Sequence, residues 1–82
     1  MKRTGTLLAK EAGLRAFIAG EERPYVRCVI ADPADPTRHF ECRVLDESDL
    51  PVAVGEPITL EIIRAITDRR SGQVRFDCHW VR

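Results

Sequence analysis

Apolar and polar residues alternate with a period of two along most of the chain, the pattern of β-strands that bury one face. Residues that favour turns, mainly Gly, Pro and Asp, separate the alternating stretches. The predicted strands cover residues 4–9 with a continuation through 14–19, then 24–30, 39–45, 57–66 and 74–81. Gly13, inside the long first strand, is typical of the bend that a small barrel needs at a corner.

The connections between these strands are mostly short. Residues 20–23 predict a tight turn, the proline-containing residues 32–36 a loop, and residues 67–73 a hairpin loop. Residues 46–55 form a longer connector, with room for one helical turn and no more. Five strands with one longer connector between the third and fourth favour an all-β, OB-fold-like small barrel, and an SH3-like barrel is the structural alternative.

Chain length and hydropathy restrict the class of protein further. The 82 residues suffice for one domain, spanning residues 1–82, and leave little material for a deep catalytic cleft. The sequence contains no run of about 18 apolar residues, the length that a transmembrane helix needs. Lys10 and Glu11 interrupt the N-terminal apolar stretch too early for a signal peptide. We therefore expect a cytoplasmic protein without membrane contact. No nucleophile, phosphate-loop or metalloprotease motif occurs, which predicts a protein that is not an enzyme.

The cysteines and histidines do not have the spacing of a metal site. Cys28, Cys42 and Cys78 fall on the inward positions of their strands, and no two of them are close in sequence. This placement predicts inert thiols in the core rather than disulfides or zinc ligands. His39 and His79 lie on separate strands without a ligand motif, so we predict neither a metal ion nor a cofactor.

Charge composition supports two different functions. Basic and acidic residues both total 13, so the net charge is zero, which counts against strong nonspecific binding of nucleic acid and favours a protein-interaction module or accessory subunit. The basic residues, however, are arginines apart from Lys2 and Lys10. Arginine binds phosphate through two parallel hydrogen bonds and stacks on bases, which favours a nucleic-acid partner.

The outward strand positions carry the candidate chemistry. Arginines alternate there with aromatic and acidic residues, including Glu41 and Asp77. One interpretation is a solvated face with cross-strand ion pairs. The other is a groove in which arginines follow a phosphate backbone while aromatic residues, with Phe40 and His39 as further candidates, stack on bases. The predicted nucleic-acid-binding residues are Arg15, Phe17, Tyr25, Arg27, Arg43, Arg69, Arg70 and Arg75.

Several short segments resemble the single-stranded-DNA-binding proteins of filamentous phages and related mobile elements. They are residues 23–25, residues 45–47, the connector that ends at Gly55, the alternating strand at residues 58–66, the hairpin with Gly72 and the final pair of residues, 81–82. The resemblance implies an OB-fold homodimer that coats single-stranded DNA with little sequence preference, and RNA stays an alternative. It also implies that the last hairpin contributes to the dimer, and that residues 32–38 form a DNA-binding wing, although they include no aromatic residue.

Overall fold

The protein, seen in a computed structural model that describes residues 1–82, consists of strands joined by turns and loops and contains no helix. The strands are β1 Lys2–Ile18, β2 Glu21–Ala31, β3 His39–Leu45, β4 Pro57–Thr67 and β5 Val74–Trp80. The predicted all-β class is therefore confirmed. The structure has no helix that is long and apolar enough to cross a membrane.

The strands form one closed ring in the order β1-β2-β3-β5-β4. Neighbouring strands are antiparallel except β3 and β5, which run parallel. The long β1 closes the ring, because residues 2–6 pair with β4 and residues 6–18 pair with β2. This arrangement confirms the predicted five-stranded, OB-fold-like small barrel.

Two connections between strands differ from the sequence prediction. The first turn consists of Ala19 and Gly20 alone, with φ angles of 53° and 81°, and Glu21 already pairs with Ile18. Two successive positive φ angles are typical of a type I′ hairpin turn, whose twist matches that of the flanking strands. The prediction that the turn covers residues 20–23 is therefore wrong, and the connector at residues 46–55 forms no helical turn.

The barrel interior holds a single cluster of ten buried apolar residues. Leu50 joins this cluster from the connector and is 1% exposed, so the connector covers one end of the barrel. Cys28, Cys42 and Cys78 are completely buried free thiols within the cluster, which confirms their predicted inward placement. Burial raises the pKa of Cys28 to about 11 and keeps that thiol protonated at neutral pH.

Gly5 permits the close packing that β1 needs where it passes from β4 to β2. A Cβ atom at this position would lie 2.5 Å from Cγ2 of Ile30 and 2.6 Å from the carbonyl oxygen of Ala31. Neither neighbour leaves room for a side chain, so this crossing requires glycine.

Candidate nucleic-acid interface

A groove lies between the outer face of β2 and β3 and the β4–β5 hairpin, with a volume of about 670 Å³. A shallower hollow of about 240 Å³ continues onto β1 and shares Arg27 and Val29 with the groove. We call the two together the cross-strand groove. Its larger part is lined by Arg27, Val29, His39, Phe40, Glu41, Ile66, Asp68, Gln73, Val74 and Arg75.

Strand pairing explains why these residues meet. Because β3 and β5 run parallel with Glu41 opposite Arg75, the loop before β3 and the loop before β5 leave the barrel at the same end. The second of these loops is held by Asp68, whose Oδ1 accepts hydrogen bonds from the backbone N–H groups of Arg70 and Ser71 at 2.8 and 3.3 Å. The β4–β5 hairpin therefore forms a defined wall of the groove.

Two of the predicted arginines, Arg27 and Arg75, line the groove in different electrostatic states. Arg27 donates from Nε to Oε1 of Glu41 at 2.6 Å, and this hydrogen bond raises the pKa of the guanidinium. Arg75 has no carboxylate oxygen within 4.0 Å. The groove therefore contains one cation that is already neutralised by a carboxylate and one that is free to bind an anion.

Arg43, another of the predicted binding residues, forms an ion pair with the carboxylate of Asp77. Asp77 accepts from Arg43 at 2.8 and 3.1 Å and from Nε of Arg64 at 2.7 Å. Of the alternative that predicts a solvated face with cross-strand ion pairs, the ion pairs are present, but Asp77 is not solvated, because its exposed fraction is 0%. Asp77 does point outward, but the guanidinium groups from the strands on either side cover it.

The same cluster contains Tyr25, the predicted stacking residue. The guanidinium carbon of Arg43 lies 5.5 Å from the centre of the Tyr25 ring, and the side chain of Arg43 is only 15% exposed. One face of the tyrosine is therefore covered by Arg43. Neither residue lines the cross-strand groove.

Arg15 and Phe17 lie on the opposite face of the β1–β2 hairpin from Tyr25 and Arg27. Tyr25 pairs with Leu14, so Leu14 shares its face and Arg15 points to the other side. A bulge between Glu11 and Leu14 produces this change of register. Arg15 is held by Glu22, and Phe17 is 77% exposed but outside the groove.

Arg69 and Arg70 are exposed at the tip of the β4–β5 hairpin, as the sequence predicts for a charged turn. They belong to a set of basic side chains with no carboxylate oxygen within 4.0 Å, which consists of Lys2, Arg3, Arg38, Arg69, Arg70 and Arg75. Arg38 is not among the predicted binding residues, although it directly precedes His39, which lines the groove. Four of these cations therefore lie in or beside the two loops at one end of the groove.

The loop at residues 32–38 is closed by its own hydrogen bonds. Asp32 N–H donates to the carbonyl of Arg38 at 3.0 Å, and Oδ1 of Asp35 accepts from both N–H and Oγ1–H of Thr37. The hydrogen bonds from Thr37 also lower the pKa of Asp35. The segment that the phage resemblance assigns to a DNA-binding wing is therefore a compact turn in this structure.

Aromatic side chains reach the groove through β3 rather than through β1 or β2. Phe40 lines the groove and packs edge-to-face against Phe76, with ring centres 5.9 Å apart and planes at 89°. His39 is the exposed neighbour of Phe40 at the same end. The structure contains no cluster of three or more His, Cys, Asp or Glu residues arranged to hold a metal ion.

Comparisons with known protein families, with curated proteins and with solved structures found no match to this chain.

Proposed function

We propose that this chain binds single-stranded nucleic acid, with DNA as the preferred partner, in the cross-strand groove and that it catalyses no reaction. The supporting observation is the position of the groove across β2 and β3 and against the β4–β5 hairpin. OB-folds bind oligonucleotides on this face and with this loop. The cations without a carboxylate partner at the end of the groove make this surface locally positive, so it attracts phosphate although the net charge of the chain is zero.

In the proposed complex, different residues contact different parts of the nucleic-acid strand. Arg69, Arg70 and Arg75, which have no carboxylate partner, hold the phosphates along the hairpin side. His39 and Phe40 offer ring surface to the bases on the β3 side. Stacking of one base on an aromatic side chain contributes about 1–3 kcal/mol to binding and tolerates any base sequence.

The resemblance to phage single-stranded-DNA-binding proteins supports the same proposal. It extends the proposal to a homodimer in which the β4–β5 hairpin meets its counterpart. Because the chain carries equal numbers of positive and negative side chains, we expect moderate affinity that depends on a few local contacts.

Fluorescence anisotropy with labelled oligo-dT, a duplex of equal length and single-stranded RNA, each over a series of salt concentrations, tests the proposal. We expect the single strands to bind more tightly than the duplex. Three phosphate contacts predict a log–log salt slope of about −2, since each contact on a single strand contributes about −0.7. Absence of binding at about 50 mM salt and tens of micromolar protein would contradict the proposal.

The exposed ring of Phe17 favours a second candidate function, docking of a partner protein. The ring is 77% exposed on a two-stranded hairpin, away from the core and from the groove. Aromatic side chains, phenylalanine among them, are enriched in protein interfaces relative to the rest of the surface. Under this alternative the oligonucleotides fail to bind, and a Phe17→Ser variant loses the partner protein without loss of stability.

A further inference from the structure

The cross-strand groove contains acidic groups that a phosphate-binding channel does not need. Glu41 and Asp68 line it together with the two arginines. Glu41 uses one oxygen to accept from Arg27, and its Oε2 has no hydrogen-bond partner within the protein. Asp68 likewise uses only Oδ1, in the hairpin turn.

The carboxylate of Glu41 restricts which part of a DNA strand faces it, whereas Asp68 is held in the hairpin turn by its hydrogen bonds from Arg70 and Ser71. Phosphate and deoxyribose offer hydrogen-bond acceptors within the chain, and an ionised carboxylate is also only an acceptor. The hydrogen-bond donors of a DNA strand are on the base edges. A strand in this groove therefore turns its bases toward Glu41 and keeps its phosphates near Arg69, Arg70 and Arg75.

Arg27 and Glu41 together present a specific order of hydrogen-bonding groups. Arg27 uses only Nε for the ion pair, so its two Nη groups are available as donors beside the carboxylate acceptor. Both side chains are accessible, with 52% and 38% of their surfaces exposed. A donor beside a carboxylate matches the Watson–Crick edge of guanine, which offers the O6 acceptor followed by the N1–H and N2–H donors.

We infer that the Arg27–Glu41 pair makes the groove prefer single strands that contain guanine over strands of thymine alone. This inference rests on the proposed function and adds a base preference to it. Thymine offers one N–H donor between two carbonyl acceptors, so it leaves one of the acceptors opposite the carboxylate. The expected preference is about tenfold, in the range that one well-formed pair of hydrogen bonds to a base provides.

The test compares labelled strands of about twelve nucleotides by fluorescence anisotropy in lithium chloride, which disfavours guanine quadruplexes. The strands are oligo-dT, an alternating guanine–thymine strand, and an inosine–thymine strand that lacks the N2 amine. We expect the guanine strand to bind about tenfold more tightly than oligo-dT, with the inosine strand between them. In the Glu41→Ala variant this difference should fall below about twofold. Glu22→Ala breaks an exposed arginine pair outside the groove and is the matched control.

Each outcome of this comparison has a defined meaning. Equal affinity for the guanine strand and oligo-dT overturns the base preference and leaves single-strand binding in place. A guanine preference that persists in Glu41→Ala overturns the assignment to the Arg27–Glu41 pair. Failure of every strand to bind removes the base preference together with the proposed function.

Discussion

Replacing Asp77 by asparagine should lower the free energy of unfolding by about 3 kcal/mol. The substitution keeps the shape of the side chain and removes the negative charge that Arg43 and Arg64 share. Arg43 is only 15% exposed, so its guanidinium would lose its counter-ion in a place where water does not replace it. Arg64 is 50% exposed and rehydrates more easily, which places the expected loss at the lower end of the range for a broken buried pair.

The Asp77→Asn loss is measured by urea denaturation followed by tryptophan fluorescence, with Glu41→Ala as a control because the Arg27–Glu41 pair is exposed. The control should change stability little.

The stability of the wild-type protein is also expected to depend on pH. Burial opposes ionisation of Asp77, but hydrogen bonds from Arg43 and Arg64 outweigh it and lower the pKa. This stabilisation is therefore present above the unfolded-state pKa of about 3.9 and is lost as the pH falls through the lower folded-state value. Wild-type stability for Asp77→Asn would contradict this account of the cluster.

Changing both Arg69 and Arg70 to serine should lower the affinity for single strands about tenfold and flatten the log–log salt slope by about 1.4. The turn itself is retained, because Asp68 accepts from backbone N–H groups and Gly72 keeps its φ of 72°. The loss should be similar for strands of different sequence, since phosphate contacts do not distinguish bases. The measurement is anisotropy over the same salt series as for the wild type.

A second double variant, Lys2→Ser with Arg3→Ser, is the matched control for charge. These two side chains are also exposed and without a carboxylate partner, but they lie on the part of β1 that pairs with β4, outside the groove. The control removes the same net charge and should change the affinity much less. Equal losses in the two double variants would show that net charge, and not the hairpin tip, determines binding. If the hairpin serves only a dimer interface, the Arg69 and Arg70 double variant should first show the molecular mass of a monomer, and its affinity should fall as a consequence.

The sequence was sufficient to identify the strands because most of them bury one face. β3 lies at the predicted residues 39–45, where Cys42 and Val44 are buried and His39 is exposed. The first turn was misplaced because it contains Ala19 at a positive φ, a conformation that the residue type does not signal. The strict period of two also fails at β-bulges, and the bulge before Leu14 is the reason why Arg15 and Phe17 do not join the groove.

The composition of the site depended on strand neighbours that alternation does not reveal. The outward direction of Asp77 was predictable, but its burial follows from the parallel pairing of β3 with β5, which brings Arg43 beside it. The same pairing brings Arg75 opposite Glu41 and places both in the groove with Arg27. Residue types thus identified several of the side chains in the groove, while the order of strands in the sheet determines which arginines have no carboxylate partner.

An NMR titration shows whether single strands bind in the cross-strand groove or on another surface of the protein. Oligo-dT is added to ¹⁵N-labelled protein, and the shifts of the backbone amide signals are followed. If the groove is the binding surface, the largest shifts should occur at Arg27, Val29, His39 and Glu41 and at residues 68–75, with small shifts around Phe17. Shifts confined to the β1–β2 hairpin around Phe17, or no shifts at saturating strand concentration, would contradict binding in the groove.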